Sequence, residues 1–207
     1  MRVLIADDHP LIRSAMKLLM ESQGHEVVAE AGCGSDAVQL ARTHHVDLII
    51  LDITMPGLDG LEVINRIRAA EVKSRILVVT SQSPLFYSQR SMKAGAAGFI
   101  TKSQDLTELM RAVKVIMDGY TFFPFLAASS VRSSDASMSG IELIQNLSTR
   151  ELYILQQLAR GLSNKKIAED MILSSKTIST YKARLIEKLN IKSVVYLADF
   201  AKRNDLI

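Results

Sequence analysis

Cysteine is nearly absent from this chain. One residue, Cys33, in a sequence of 207 excludes an intrachain disulfide and any metal site made of cysteine alone. Long apolar runs are missing too: no uninterrupted stretch approaches the roughly 18 to 20 residues a membrane helix needs. The N-terminus, Met1-Arg2-Val3-Leu4-Ile5-Ala6-Asp7-Asp8, meets acid too soon for the apolar core of a signal peptide. These absences predict a cytoplasmic protein with no membrane partner. Nor is there a large surplus of one charge, the net value being +3. With 48% apolar and 23% charged residues, the composition is that of a globular protein and not of a disordered one.

The small net charge hides an asymmetry. Residues 1–146 carry 14 Lys/Arg against 16 Asp/Glu, or −2; residues 147–207 carry 11 against 6, or +5. An acidic front and a basic back suggest two modules, the second facing a polyanion.

The stretch that organises the front module is Val46-Asp-Leu-Ile-Ile-Leu-Asp52-Ile-Thr-Met-Pro-Gly-Leu-Asp-Gly60. Its run Leu48–Leu51 is apolar at every position, which suits a strand buried on both faces of a parallel sheet. The run ends on Asp52, at the carboxyl edge where open α/β sheets bind ligands. Four more short apolar runs, Val3–Ala6, Val27–Ala31, Ile76–Val79 and Gly98–Thr101, alternate with stretches of helical spacing. That alternation predicts a doubly wound, five-stranded parallel sheet. The crossover around Leu85–Ala94 carries the weakest helix signal. Asp36, Asp59 and Asp105 lie near expected helix starts, where an acid caps exposed N–H groups or favours the dipole.

The strands end alike: the first in Asp7-Asp8, the third in Asp52, the fourth in Thr80, the fifth in Thr101-Lys102. Three carboxylates at one edge repel one another unless a cation joins them. A hard, oxygen-seeking ion such as Mg²⁺ fits, or Mn²⁺ in its place. Asp52 can then act as a carboxylate nucleophile towards phosphorus, with Lys102 neutralising the transferring phosphoryl group. Taken singly, Asp7-Asp8 reads as a helix cap, Lys102 as a solvated lysine and Thr80 as a strand-end hydroxyl; their convergence on one edge carries the argument. His9 reads as a residue that shapes the turn, since no second histidine shares its edge. His25, His44, His45 and Cys33 are given no function.

Together, Ile5-Ala-Asp-Asp-His-Pro10, Asp52-Ile-Thr-Met-Pro-Gly-Leu-Asp-Gly60, Thr80 and Lys102 resemble a two-component receiver domain over residues 1 to about 120. The resemblance implies flavodoxin-like strand order 2-1-3-4-5 and phosphorylation of Asp52 by a sensor histidine kinase, directly or through a hybrid-kinase phosphorelay. It implies Mg²⁺ held by Asp7, Asp8, Asp52 and the backbone carbonyl of Thr54, with Thr80 as switch hydroxyl and Phe99 as switch aromatic. One departure is Ser103, where the family often has a proline after its lysine. Phosphatases of the haloacid-dehalogenase type also use a strand-end Asp, but place a second Asp two residues later, where this chain has Thr54. Lacking that proton donor, the site suits self-phosphorylation and self-dephosphorylation, not enzymatic turnover.

Beyond Asp118-Gly119, an aromatic run, Tyr120–Phe125, leads into Ala127–Gly140 with its six serines, which reads as a flexible tether. The expected division is a receiver over 1–122, a linker over 123–146 and a DNA-binding domain over 147–207. Ile141–Asn146 could already belong to the last.

In the back module, Ser148 with Glu151 three residues on forms a capping-box pattern. Leu152, Leu155 and Leu158 give that helix a buried face, and Gly161 ends it. Ser163 caps a short second helix, Ser174 or Ser175 a third running to about Leu189, and Val194–Arg203 forms a fourth. A small all-α domain results, with helix-turn-helix geometry. On the third helix Ile178, Leu185 and Leu189 point inward with Tyr181 beside them. Lys176, Ser179, Thr180 and Ala183 recur on another face, where short side chains permit approach to base edges. Lys182, Arg184 and Lys188 reach phosphates or nearby bases. A solvated basic helix in a plain bundle is the alternative.

Leu147-Ser-Thr-Arg-Glu151, Gly161-Leu-Ser-Asn-Lys-Lys-Ile-Ala168 and Ser174-Ser-Lys-Thr-Ile-Ser-Thr-Tyr-Lys182 resemble the effector domain of NarL/FixJ (LuxR-type) regulators. With Gly119-Tyr-Thr-Phe-Phe-Pro124 and Ala201-Lys-Arg-Asn204 added, the whole chain is most similar to the BvgA/EvgA branch. The resemblance implies a homodimer that binds double-stranded promoter DNA and places 179, 180 and 183 at base-contacting positions. Some members carry lysine where this chain has Ser179 and Ala183.

Overall fold

The computed structural model describes residues 1–102, 106–124, 126, 138–191, 193–204 and 206–207, with the backbone alone for residues 106, 138, 139, 141, 142, 194 and 195. Contacts divide the chain into two compact units, Met1–Val131 and Arg132–Ile207.

In the first unit β1 (Arg2–Ala6), α1 (Pro10–Ser22), β2 (Glu26–Ala31), α2 (Gly34–Thr43), β3 (Leu48–Leu51), α3 (Gly60–Ala69), β4 (Arg75–Thr80), α4 (Pro84–Ala94), β5 (Gly98–Thr101) and α5 (Leu106–Met117) follow in turn. The strands pair in parallel in the order β2-β1-β3-β4-β5. The continuous apolar character of β3 has its reason here, because all four of its residues are buried. Val3, Ile5, Leu48, Ile50, Leu77 and Val79 pack with Met16 and Met20 of α1 and with Leu109, Ala112, Val113 and Ile116 of α5. Residues of the opposite parity, Leu4, Ile49, Leu51, Ile76 and Val78, are equally buried, so both faces of the sheet are covered.

Register brings the strand ends flush. Ala6 pairs with Leu51, Leu51 with Val78 and Thr80 with Thr101. The ladder runs one residue further, since the Asp52 N–H donates to Ala6 O at 2.8 Å and the Lys102 N–H to Thr80 O at 2.7 Å. Asp7, Asp52, Thr80 and Lys102 therefore converge at one edge through backbone pairing.

Asp59 caps α3, its side chain accepting the Glu62 N–H at 2.9 Å. Asp36 stands in the first turn of α2, whose N-cap, Cys33, makes no side-chain cap bond. The weak helix signal of α4 has a cause: its buried positions include the hydroxyls of Ser88 and Ser91. Asp105, Ser103, Phe125 and the tether from 127 to 137 lie outside the described residues.

The second unit holds α6 (Met138–Gln145), α7 (Thr149–Ala159), α8 (Asn164–Met171), α9 (Ser175–Lys188) and α10 (Val194–Arg203). The four expected helices are joined by α6, which occupies the C-terminal part of the expected linker and whose Ile144 is fully buried. Side chains of Ser148, Ser163 and Ser174 each accept the N–H three residues on, and Ser148 with Glu151 completes a capping box. Ser174, not Ser175, is thus the cap of α9. Gly161 after α7 takes a positive φ of 85°, which only glycine adopts cheaply.

Gly60 is the close approach on which the front edge depends. Its N–H donates to Ile53 O, and a Cβ there would stand 2.4 Å from Asp52 O and 2.7 Å from Ile53 Cα. Gly60→Ala should therefore destabilise the first unit by about 1–3 kcal/mol, read as a lower denaturant midpoint for its unfolding.

Candidate functional site

The edge formed by the flush strand ends gathers one ammonium and three carboxylates. Lys102 Nζ lies 2.6 Å from Asp52 Oδ2 and 2.8 Å from Asp7 Oδ2, with both carboxylates buried. Asp52 Oδ1 accepts the Thr54 N–H at 3.2 Å. Burial pushes the Asp52 carboxyl up and Asp7 adds to the push, while Lys102 and the Thr80 hydroxyl pull it down without cancelling the rise. For Lys102 burial acts downward, but attraction by Asp52 and Asp7 outweighs it and leaves the ammonium above its ordinary value. The lysine accordingly keeps its proton and serves as a counter-ion shared between two acids.

A single ammonium does not satisfy the cluster. Among the described residues, Asp7 Oδ2 and Asp8 Oδ1 are buried without a well-directed hydrogen bond, although Lys102 Nζ stands 2.8 Å from the first and His9 Nδ1 2.8 Å from the second. Ligand atoms of Asp7, Asp8, His9 and Asp52 all lie within 4.8 Å of one another. Oxygen donors of this hardness fit a Mg²⁺-sized ion better than a thiophilic one. His9, set aside in the sequence as a turn residue, belongs to this ring; its backbone N–H also donates to Asp7 Oδ1 at 2.9 Å.

Thr80 is fully buried at the end of β4, and Phe99, buried on β5, pairs with Val78. Two neighbours escaped the sequence reading. Gln82 donates through Nε2 to Thr54 Oγ1 at 2.9 Å, bridging the loops after β3 and β4. Arg13 NH1 donates to the backbone oxygen of Asp7 at 2.8 Å. Gln82 could have been suspected from its place two residues beyond Thr80; Arg13 carried no signal, since an arginine in a first helical turn is ordinary.

In the second unit α9 buries Ile178, Leu185 and Leu189, with Tyr181 half-buried beside them. Lys176, Ser179, Thr180, Ala183 and Arg184 are exposed, and Lys182 is half-buried. The Ser179 and Thr180 hydroxyls turn back onto Ser175 O and Lys176 O, and Ser179 Oγ also accepts from Asn164 Nδ2 of α8 at 3.1 Å. Lys188 is placed differently from its expected role. Its Nζ meets the buried Glu151 Oε2 at 2.8 Å, tying α9 to the capping box of α7.

Here the fold and the two sites define a class: regulators in which a receiver is joined to a helix-turn-helix effector. Residues 3–114 match the response regulator receiver domain family, and residues 145–201 match the luxR family of bacterial regulatory proteins. The chain is 49% identical over 205 residues to the virulence transcription regulator BvgA of Bordetella pertussis, covering 99% of this chain and 98% of that one. It is 40% identical over 206 residues to the fimbriae Z protein of Salmonella typhimurium, across 99% and 98% of the two chains. The DNA-binding transcriptional activator EvgA of Escherichia coli is 35% identical over 206 residues, spanning all of both. Among solved structures, the RcsB response regulator of Salmonella typhimurium shares the fold, with a TM-score of 0.72, 24% identity and coverage of 98% of this chain and 97% of that one. The chain belongs to the NarL/LuxR family of two-component response regulators, transcription factors with a receiver and a LuxR-type DNA-binding domain.

The Glu151 contacts have a pH signature. Burial pushes the carboxyl up, but the Lys188 ammonium and the N–H and hydroxyl of Ser148 outweigh it, leaving Glu151 below its ordinary value near 4.5. A depressed folded value means stabilisation that is complete above that ordinary value and is lost as pH falls through the folded one. Denaturant titrations of the chain and of Glu151→Gln between about pH 6 and pH 3 should show the advantage of the parent shrinking on acidification.

Proposed function

We propose that a sensor histidine kinase phosphorylates Asp52 and that this modification controls promoter binding by the second unit. The observation that carries the reading is the Lys102 ammonium shared by Asp52 and Asp7, beside a buried Asp8 oxygen that accepts no hydrogen bond among the described residues. A carboxylate oxygen of Asp52 attacks the phosphorus of a phosphoimidazole; an O–P bond forms, the P–N bond breaks and the imidazole leaves with a proton from solvent. Lys102 follows the new charge onto a phosphoryl oxygen, and the Thr80 hydroxyl turns towards it. Phe99, on the neighbouring strand, takes up the space behind Thr80. Asp7, Asp8, Asp52 and the backbone carbonyl of Thr54 would hold Mg²⁺, which when bound neutralises the phosphoryl oxygens. No multiple turnover on small phosphoesters is expected, Thr54 offering no proton donor to a leaving group.

On the DNA side, Lys176, Ser179, Thr180 and Ala183 form the face of α9 that enters the major groove, with Lys182 and Arg184 reaching the phosphates. Lys188, engaged by Glu151, serves the fold first. A homodimer in the cytoplasm would present two such helices to half-sites about 34–36 Å apart, or adjacent on one face. The receiver occupies about 1–122 and the effector 147–207, with α6 as an N-terminal extension of the latter. RcsB from Salmonella has been solved bound to promoter DNA, which supports the DNA partner as a property of this fold.

Asp52→Asn should abolish labelling by a phosphodonor, scored on a phosphate-affinity gel; normal stoichiometric labelling would move the acceptor elsewhere. In promoter binding followed against salt, Arg184→Ala should reduce the slope of log K on log salt by about 1 without changing which sequences are preferred. A changed preference would make Arg184 a reader of bases.

A further inference from the structure

The centre of the face that α9 turns outward has already spent its hydrogen-bond protons. A serine hydroxyl carries one proton and two lone pairs. In Ser179 the proton goes to Ser175 O at 3.0 Å, and one lone pair receives Asn164 Nδ2 of α8 at 3.1 Å. Turning the Asn164 amide over would set Oδ1 in place of Nδ2 and give the serine proton a second acceptor within the chain. In either orientation the proton stays inside the protein, and what Ser179 presents outward is a lone pair.

Its neighbours do not supply the missing donor. Thr180 donates its hydroxyl proton to Lys176 O at 3.1 Å, and the Ala183 side chain has no polar atom. All three residues are exposed, as are Lys176 and Arg184. Cations thus flank a centre made of acceptor oxygens and methyl groups.

A major groove answers such a surface in one way. Each base pair displays there a single exocyclic amino group, N6 of adenine or N4 of cytosine, among carbonyl and ring-nitrogen acceptors. An outward lone pair finds a partner in that amino group alone; set against guanine O6 or N7 it would oppose one acceptor to another. On the reading of α9 as the groove-binding helix, we propose that Ser179 reads its base as an acceptor, from an exocyclic amino group, and that Asn164 is the positioning residue that holds it in this polarity. A residue of the preceding helix then bears on sequence preference through Ser179, without touching a base.

The test uses the full chain, with and without acetyl phosphate and Mg²⁺, on a library of DNA duplexes with a randomised centre. The pair at which Ser179→Ala flattens the parent's base preference is the one Ser179 faces. In an enriched duplex that pair is then altered one group at a time. Removing the amino group, with purine for adenine or 2-pyrimidinone for cytosine, should weaken binding about tenfold, the loss of one base contact. The 7-deaza form of the pair's purine, which lacks a ring-nitrogen acceptor, should cost less than about twofold. Ser179→Ala should be indifferent to both changes. Asn164→Ala should keep the parent's circular dichroism yet tolerate loss of the amino group, an effect that a purely structural role would not produce. A loss on the 7-deaza duplex equal to or greater than that on the amino-deleted one overturns the acceptor role. So does an enriched consensus in which Ser179→Ala flattens no position, and parent-like dependence in Asn164→Ala removes the positioning role; in each case promoter binding itself stands. A parent that enriches no duplex under either condition sinks the promoter-binding reading instead, and the acceptor role with it.

Discussion

Everything at the front of the molecule depends on how buried acids are neutralised. An isolated carboxylate in an apolar interior costs several kcal/mol, so two such groups side by side require a cation. Lys102 is that cation among the described residues, reaching Asp52 and Asp7 at once. Among the described residues it leaves an Asp8 oxygen without a hydrogen bond and Asp7 Oδ2 without a well-directed one, so the edge is held together but not satisfied. A site in this condition can be assembled before any ligand arrives and still gain when one does. That combination suits a switch better than a rigid structural ion pair.

The second unit solves a similar problem in the opposite sense. Glu151 is buried, and there every bond it makes is structural: Ser148 N–H, the capping serine and Lys188 all address it. The result is a carboxylate held charged, its Oε2 taking both the Ser148 N–H and the Lys188 ammonium. The contrast between two buried acids, one complete and one not, separates scaffold from reactive edge on physical grounds.

Much of this was legible in the residues. Unbroken apolar runs ended in acid, hydroxyl or lysine, and parallel pairing with flush ends turned that one-dimensional pattern into a cluster. Serine caps three residues before a paired N–H fixed the starts of α7 and α8 to the residue and placed that of α9 at Ser174 or Ser175. What escaped had long-range causes. Lys188 looks like any basic residue on a recognition helix until the fold brings Glu151, 37 positions away, against it. Gln82 and Arg13 likewise gain their place only from loop closure. Helix α6 was obscured by its serine-rich surroundings, which carry no amphipathic period, although Ile144 supplies a buried anchor.

The serine caps also bear on the order of folding. Each of α7, α8 and α9 has its start signal within three residues of itself, so these helices can begin from contacts near in sequence before α7 packs on α9 and α10. The sheet of the first unit is different: β1 lies between β2 and β3, and its pairing must wait until β3 has left the ribosome. Low contact order favours rapid folding, so the effector half, though synthesised last, gains its shape quickly once released. The slower task falls to the half made first, which has the whole of translation in which to complete it.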